Sequence, residues 1–323
     1  MKPHYRNFSQ LAGANVAVIG AGGFIGSHLI DSLLSNKCHV LALGRNLPGL
    51  ISSEAQLNTN LTMKSVDMTD SLKLQTCLSK IDIVYHLASS CIPKSSNLSP
   101  QLDVSTNLIG SLNILQSCIK NNIKKLIFIS SGGTVYGIPR DFPIGENHPT
   151  NPLCSYGVNK LAIEKYIYMY RELYGLDSTV LRLANPYGEG QRLKASQGVV
   201  PIFLNLALNS KTLEIWGDGS AVRDFIYISD VVDAILLSST CNSAEHIFNI
   251  GSGSGCSLLS LVSMIEEIVG KKVNVHFKES RGFDVPKNVL CIDKAKQYLN
   301  WEPSISLEVG VSRLYRYLLR SSD

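Results

Sequence analysis

The sequence predicts an α/β protein: a doubly wound parallel sheet of six or more strands, joined by a smaller C-terminal α/β lobe whose segments interleave with it. Three observations predict this. From residue 15 onwards, short β-branched runs alternate with segments of helical spacing, which is the pattern of βαβ units. A glycine-rich turn stands between the first run and the first helical segment. After about residue 185 the alternation loosens into short strands and helices, punctuated by Pro186, Pro201, Pro286 and Pro303.

Taken in order, "NVAVIG" is the first strand, "SHLIDSLLS" the first helix and "HVLALG" the second strand. Further strands are expected at 61–66, 81–88, 124–131 and 178–185, with helices at roughly 103–121 and 158–174 between them. The Ser-rich stretch 89–100 reads as a surface loop. Beyond it come the short strands "LEIW", "DFIYI", "HIFNI" and "VNVHF", with helices near 198–209, 229–239, 257–269 and 306–320. Residues 12–184 then form a Rossmann-type NAD(P)-binding domain, completed by segments within 222–250, and residues 185–323 mainly a substrate lobe.

Composition narrows the functions. The 323 residues are 45% hydrophobic and 7% aromatic, with 30 Lys+Arg against 26 Asp+Glu, a net charge of +4 and no run of five like charges. Nucleic acid is therefore not an expected partner. No run approaches the ~18 apolar residues of a membrane span, and the first residues carry no signal peptide pattern. The eight cysteines show no C-x-x-C pair and no zinc-like His spacing, so reduced thiols in a cytoplasmic protein without metal are expected.

"GAGGFIG" supplies Gly20, Gly23 and Gly26 between strand and helix, with Phe24 and Ile25 opening the helix. Such glycines allow a tight turn, close approach of backbone to a pyrophosphate, and helix-to-strand packing, while the helix N-terminus offers free N–H groups to the anion. At the end of the second strand, where an acidic residue would accept bonds from an adenosine ribose, the chain has Gly44 and Arg45. An arginine pairs with a 2′-phosphate instead, so the cofactor is NAD or NADP with Arg45 leaning to NADP; Arg45 could also be a solvated loop residue. Asp67 is either a partner of the adenine amino group or the cap of the helix beginning near Asp70.

"YGVNK" places Tyr156 and Lys160 one helical turn apart on the same face, about 130 residues after the glycine turn. A phenol with an ordinary pKa near ~10 becomes a base at neutral pH only beside positive charge, which a lysine ammonium and an oxidised nicotinamide supply. The pair would move a proton to or from an alcohol or sugar hydroxyl while the nicotinamide moves the hydride.

These motifs, with "HLAS", "TNLIGSLNIL", "SSGGTVYG", "LRLANPYGEGQ", "IWGDGSAVRDFIYISDVVDA", "FNIGSG" and "SRGFDV", resemble the extended short-chain dehydrogenase/reductases of the nucleotide-sugar epimerase/dehydratase family, the UDP-glucose 4-epimerases above all. The resemblance runs through nearly the whole chain. It implies that Tyr156 is the acid/base and Lys160 its holder, that Asn107 supports the helix behind them, and that His86, Leu87, Ala88 and Ser89 border the cofactor. It further implies that Asn185, Arg223, Arg281 and Asp284 bind a nucleotide-sugar substrate. A homodimer is implied too, packed through the helices near 103–121 and 158–174, where Leu108, Leu112, Leu115, Ile163 and Ile167 serve either the interface or the sheet.

Dehydratases and decarboxylases of this family carry an acidic residue where this chain has Gly133 and Thr134, so redox chemistry at C4 is expected: 4-epimerisation, with 4-keto-sugar reduction as the alternative and a non-catalytic cofactor-binding regulator as the least favoured reading. Asn288 falls where some members have a bulky tyrosine, leaving room for an N-acetyl group. The family's hydroxyl that serves the C4 oxygen falls on Gly132 here. In an extended strand Thr134 shares the face of residue 132, so Thr134 is the first replacement, Ser131 the second and a backbone-held water the third.

Overall fold

A computed structural model describes residues 8–47, 49–91, 93–191, 198–280 and 285–320. Strands β1 (Asn15–Ile19), β2 (His39–Gly44), β3 (Leu61–Ser65), β4 (Ile83–His86), β5 (Lys125–Ser131) and β6 (Ser178–Leu183) alternate with helices α1 (Phe24–Ser35), α2 (Ser53–Gln56), α3 (Ser71–Cys77), α4 (Pro93–Leu98), α5 (Pro100–Asp103), α6 (Ile109–Lys120) and α7 (Ser155–Tyr174). The second part adds β7 (Asn185–Tyr187), α8 (Val199–Leu208), β8 (Leu213–Trp216), β9 (Val222–Tyr227), α9 (Ile228–Thr240), β10 (Ile247–Ile250), β11 (Gly255–Ser257), α10 (Leu258–Val269), β12 (Val275–Lys278), β13 (Lys287–Asn288), α11 (Asp293–Leu299) and α12 (Leu307–Arg320).

The main sheet has seven parallel strands in the order β10-β6-β5-β4-β1-β2-β3. Its layering follows from the two-residue alternation of a strand. Val16 and Val18 of β1 face one core with Leu29, Ile30 and Leu33 of α1, while Ala17 and Ile19 face a second core with Ile114, Leu115, Ile163 and Ile167 of α6 and α7. Both faces are covered, which is why β1 reads as an unbroken apolar run. The chain leaves β1 towards β3 and returns to β4 on the other side of β1, so the strand order reverses there and a crevice opens at the carboxyl ends of β1 and β4.

The stretch 178–185 is not one strand. It breaks at Ala184, whose N–H bonds to Ile250 O, and Asn185–Tyr187 crosses to pair with β9 in a second sheet with β11 and β13. The segment 89–100 is likewise not all loop: Pro93 and Pro100 each open a helical turn, and α4 packs against α7. Between α5 and α6, Val104–Leu108 forms a π-helical turn rather than continuous α-helix.

Leu115, Ile163 and Ile167 are buried in the second core and serve the sheet, while half-buried Leu108 and Leu112 pack against it. The apolar side chains left exposed on the same helices are others: Val158, Tyr166, Met169 and Leu173 on α7, with Val104 and Ile109 opposite them in sequence. Among the described residues no helix is long and apolar enough to cross a membrane, and no cluster of metal-binding side chains occurs.

Candidate active site

A cleft of about 1230 Å³ runs from the glycine turn past Ser131 and Tyr156 to Trp216 and Pro286 in the second lobe. Its dinucleotide end is made of backbone. Gly20 adopts φ 95°, and a Cβ there would stand 2.7 Å from Ala88 N. A Cβ on Gly26 would stand 2.4 Å from Gly20 O, so this glycine lets α1 lie against the turn. Gly23 caps the helix without a side-chain bond, leaving the first N–H groups of α1, at Phe24, Ile25 and Gly26, aimed at the cleft they line. A cradle in which every added methyl strikes backbone fits a pyrophosphate, and these residues would hold that part of a nicotinamide dinucleotide.

Arg45 also lines the cleft, exposed, with its guanidinium 3.9 Å from the Asp67 carboxylate. The two roles weighed for Asp67 separate here. Asp70 caps α3 by accepting from Lys73 N at 3.1 Å, whereas Asp67 Oδ1 accepts from Thr69 N at 2.9 Å and Thr69 Oγ1 at 2.8 Å. Those bonds from Thr69, with Arg45 as a lesser contributor, hold the Asp67 carboxyl below its ordinary range.

Leu87, Ala88 and Ser89 follow β4 and border the same cleft. His86, behind them, is buried and bonded through Nε2 to Ser111 Oγ at 2.8 Å. Burial and then the Lys160 ammonium lower it to about 3, so its ring is neutral at physiological pH. Asn107 lies in the π-turn and accepts from Ser90 N at 2.9 Å, tying that turn to the cleft wall.

The other end of the cleft is built from side chains. Tyr156 and Lys160 stand on the first two turns of α7, with Lys160 Nζ 5.7 Å from the Tyr156 ring centroid, 4.7 Å from that of Phe128, and donating to Ile129 O at 2.7 Å. Burial lowers Lys160 to about 8, with Glu164 and Asp103 opposing the fall. Burial raises the Tyr156 phenol; Cys154 and Asp103 add to the rise, and a hydrogen bond with Ser131 opposes it. The first turn of α7 is capped from α4: Asn97 Oδ1 accepts from Ser155 N at 2.9 Å and Ser96 Oγ from Tyr156 N at 3.0 Å.

The hydroxyl question changes with the geometry. β5 ends at Ser131, and Thr134 N and Val135 N both bond back to Ser131 O at 3.2 and 3.1 Å. The chain therefore turns at once, and the extended-strand alternation that ranked Thr134 first does not apply. Ser131 is the hydroxyl whose influence lowers the phenol, while Thr134 packs against Gly157 with its buried Oγ1 unpartnered. A Cβ at Gly132 would stand 2.6 Å from Leu290 Cδ1, so the place where the family's side chain would grow is filled by Leu290.

At the far end, Asn185 Nδ2 donates to Asp224 O at 2.9 Å, Arg223 Nη1 donates to Val222 O at 2.9 Å, and both residues line the cleft. Arg281 and Asp284 lie outside the described residues, though Ser280 and Val285 on either side line the cleft. Asn288 is buried there, donating from Nδ2 to Gly132 O at 3.0 Å with Oδ1 unpartnered.

Several residues of the site were not singled out from sequence. Ser96 and Asn97 were hidden in the presumed loop. Glu164 and Arg182 form a buried ion pair of 2.6 Å that also takes in Ser130, binding α7, β5 and β6 together one turn beyond Lys160. The spacing Tyr156, Lys160, Glu164 along one helical face was the available signal.

Comparison with known proteins agrees with this geometry. A putative UDP-glucose 4-epimerase of Methanocaldococcus jannaschii is 35% identical over 94% of this chain and 98% of its own. A dTDP-4-dehydro-6-deoxyglucose reductase of Escherichia coli is 33% identical over 93% and 96%. Among solved structures, the UDP-glucose 4-epimerase of Thermotoga maritima with UDP-glucose superposes with a TM-score of 0.91 at 36% identity, covering 96% of this chain and 100% of the other. Residues 16–251 match the NAD dependent epimerase/dehydratase family, and the chain belongs to that family.

Proposed function

We propose that the protein is a nucleotide-sugar 4-epimerase, acting on a UDP-hexose or UDP-N-acetylhexosamine by transient oxidation at C4. The observation that carries this is the Tyr156–Lys160–Ser131 corner at one end of the cleft, with no carboxyl group at positions 133 and 134 to remove a proton from carbon. The epimerases among its relatives support the same reading.

A bound nicotinamide dinucleotide supplies the hydride acceptor and donor at C4. Tyr156 takes the proton of the C4 hydroxyl and later returns it. Because burial holds the phenol protonated, Tyr156 works as a base only with positive charge beside it, and Lys160 supplies a fixed share of that charge. Ser131 orients the phenol and the substrate oxygen by hydrogen bonding. Loss of the Lys160 proton near its value of about 8 removes the cation, so turnover falls as pH rises through that range. Arg223, and Arg281 with Asp284, hold the nucleoside diphosphate; Asn288 in place of a bulky aromatic leaves room at C2. A homodimer through the exposed face of α7 completes the reading, its test the mass in solution by light scattering.

The second reading is an NADP-dependent 4-keto-sugar reductase, favoured by Arg45 on the cleft wall and supported by the E. coli relative. Denaturing the purified protein and identifying the released dinucleotide by mass spectrometry separates the two. Retained NAD and interconversion of UDP-sugar epimers are expected. A protein that emerges empty, takes up NADPH and consumes it with a 4-keto-sugar nucleotide sinks the epimerase.

A further inference from the structure

Between the cleft wall and the first turn of α7 lies a carboxylate that the reaction above does not use. Asp103 ends α5 with 0% of its surface exposed. Its oxygens are divided: Oδ1 accepts from Asn107 Nδ2 at 2.6 Å, and Oδ2 from Ser155 Oγ at 3.0 Å. Asn107 passes the connection on through its own Oδ1, which accepts from Ser90 N at 2.9 Å and Ser90 Oγ at 3.2 Å. Ser90 lines the cleft, and Ser155 immediately precedes Tyr156.

The backbone from Asp103 to Asn107 runs into the π-turn, a rare alternative to α-helix that recurs at functional sites. It is held because one buried carboxylate grips the turn with one oxygen and α7 with the other. Hydrogen bonds to a charged acceptor are roughly twice as strong as neutral ones, which suits a strut between two elements.

We propose that Asp103 is a positioning residue for the Tyr156–Lys160 pair: a buried carboxylate that ties the π-turn to the first turn of α7. The inference rests on the assignment of Tyr156 and Lys160 as the proton-transfer pair.

The titratable groups that feel Asp103 are Tyr156, Lys160 and the Cys154 thiol, all from α7 or its cap. Glu164 is the other anion acting on Lys160, and His86 faces Lys160 from β4. An anion keeps a phenol neutral and an amine cationic. Removing it eases ionisation of Tyr156, which sets the acid limb of the pH profile, and eases loss of the Lys160 proton, which sets the alkaline limb. Both limbs should move to lower pH together.

Asp103→Asn keeps the shape: its carbonyl still accepts from Asn107, and its amide donates to the Ser155 hydroxyl. In the dinucleotide-loaded protein, kcat/KM limbs are expected to move down by about one unit each, with kcat reduced roughly tenfold, KM within twofold and Asp103→Glu restoring the limbs. An ultraviolet difference titration against Tyr156→Phe, without substrate, should show the phenol titrating lower in Asp103→Asn. Limbs and phenol titration that coincide with wild type overturn the proposal. Should Asp103→Asn fail to melt cooperatively, Ser155→Ala keeps the charge and cuts the tie: kcat falls several-fold with the limbs in place, and an unchanged kcat overturns the proposal. Tyr156→Phe that keeps full turnover removes the pair itself, a failure distinct from either.

Discussion

The two ends of the cleft are built from opposite materials. The dinucleotide end is made of missing side chains: Gly20 and Gly26 are positions where a methyl would strike backbone at 2.7 and 2.4 Å. The Tyr156 end is made of side chains held by other side chains, with Tyr156 and Lys160 set by Ser96, Asn97 and Asp103 from other elements and by Glu164 one turn further along α7. A backbone cradle tolerates almost no substitution within it but asks little of distant residues. A side-chain corner degrades by steps, each set by how directly a residue touches the reacting atoms.

That contrast can be broken at either end. Tyr156→Phe should have the largest effect, lowering kcat about 10³-fold, in line with loss of a positioned acid/base, while dinucleotide affinity by calorimetry stays within a few-fold. If affinity fell as far as turnover, the two ends would not be separable. Gly26→Ala should act in the other direction, with dinucleotide affinity down about a hundredfold and stability down about 2–3 kcal/mol, as for overpacking against backbone that cannot move.

Ser131→Ala should reduce kcat by roughly a hundredfold, the low end of the range for a lost donor near a developing charge. Thr134→Val should leave kcat within about threefold, because the Thr134 hydroxyl is unpartnered and bonded to nothing at the phenol. The reverse order in steady-state kinetics would return Thr134 to first place. Ser96→Ala removes the cap on Tyr156 N together with the bond that Ser96 Oγ donates to Pro93 O, and should cost about 1 kcal/mol in thermal unfolding with a small drop in kcat.

The same contrast explains what could be read from sequence. Glycine spacing, strand parity and the Tyr156–Lys160 turn are local, so the parallel sheet, the glycine turn before α1 and the nearness of Tyr156 to Lys160 were legible. Ser96, Asn97 and Asp103 act across 52 to 60 positions, and nothing in a Ser- and Pro-rich stretch announces which hydroxyl will meet which helix. The hydroxyl at the phenol was misranked for a related reason. Alternation of faces holds only while a strand lasts, and the return bonds to Ser131 O end it one residue before Gly132. Arg45 shows the limit at the cradle end, where sequence left it either a phosphate partner or a solvated loop residue and its guanidinium stands 3.9 Å from the Asp67 carboxylate.

Gly132 and Leu290 tie the two halves of the chain to each other's choice of side chain. Leu290 sits 158 positions later than Gly132 and is itself held by Asp224 Oδ2 through its N–H at 3.2 Å, with Asn288 bonded to Gly132 O beside it. The two halves of the chain share one volume, each leaving what the other fills. A hybrid made by joining this N-terminal half to the C-terminal half of a cousin with a smaller residue at 290 would carry a void beside Ser131. One made the other way, with serine at 132, would meet the leucine. A change at either position therefore has to be matched at the other to keep this volume filled without overlap.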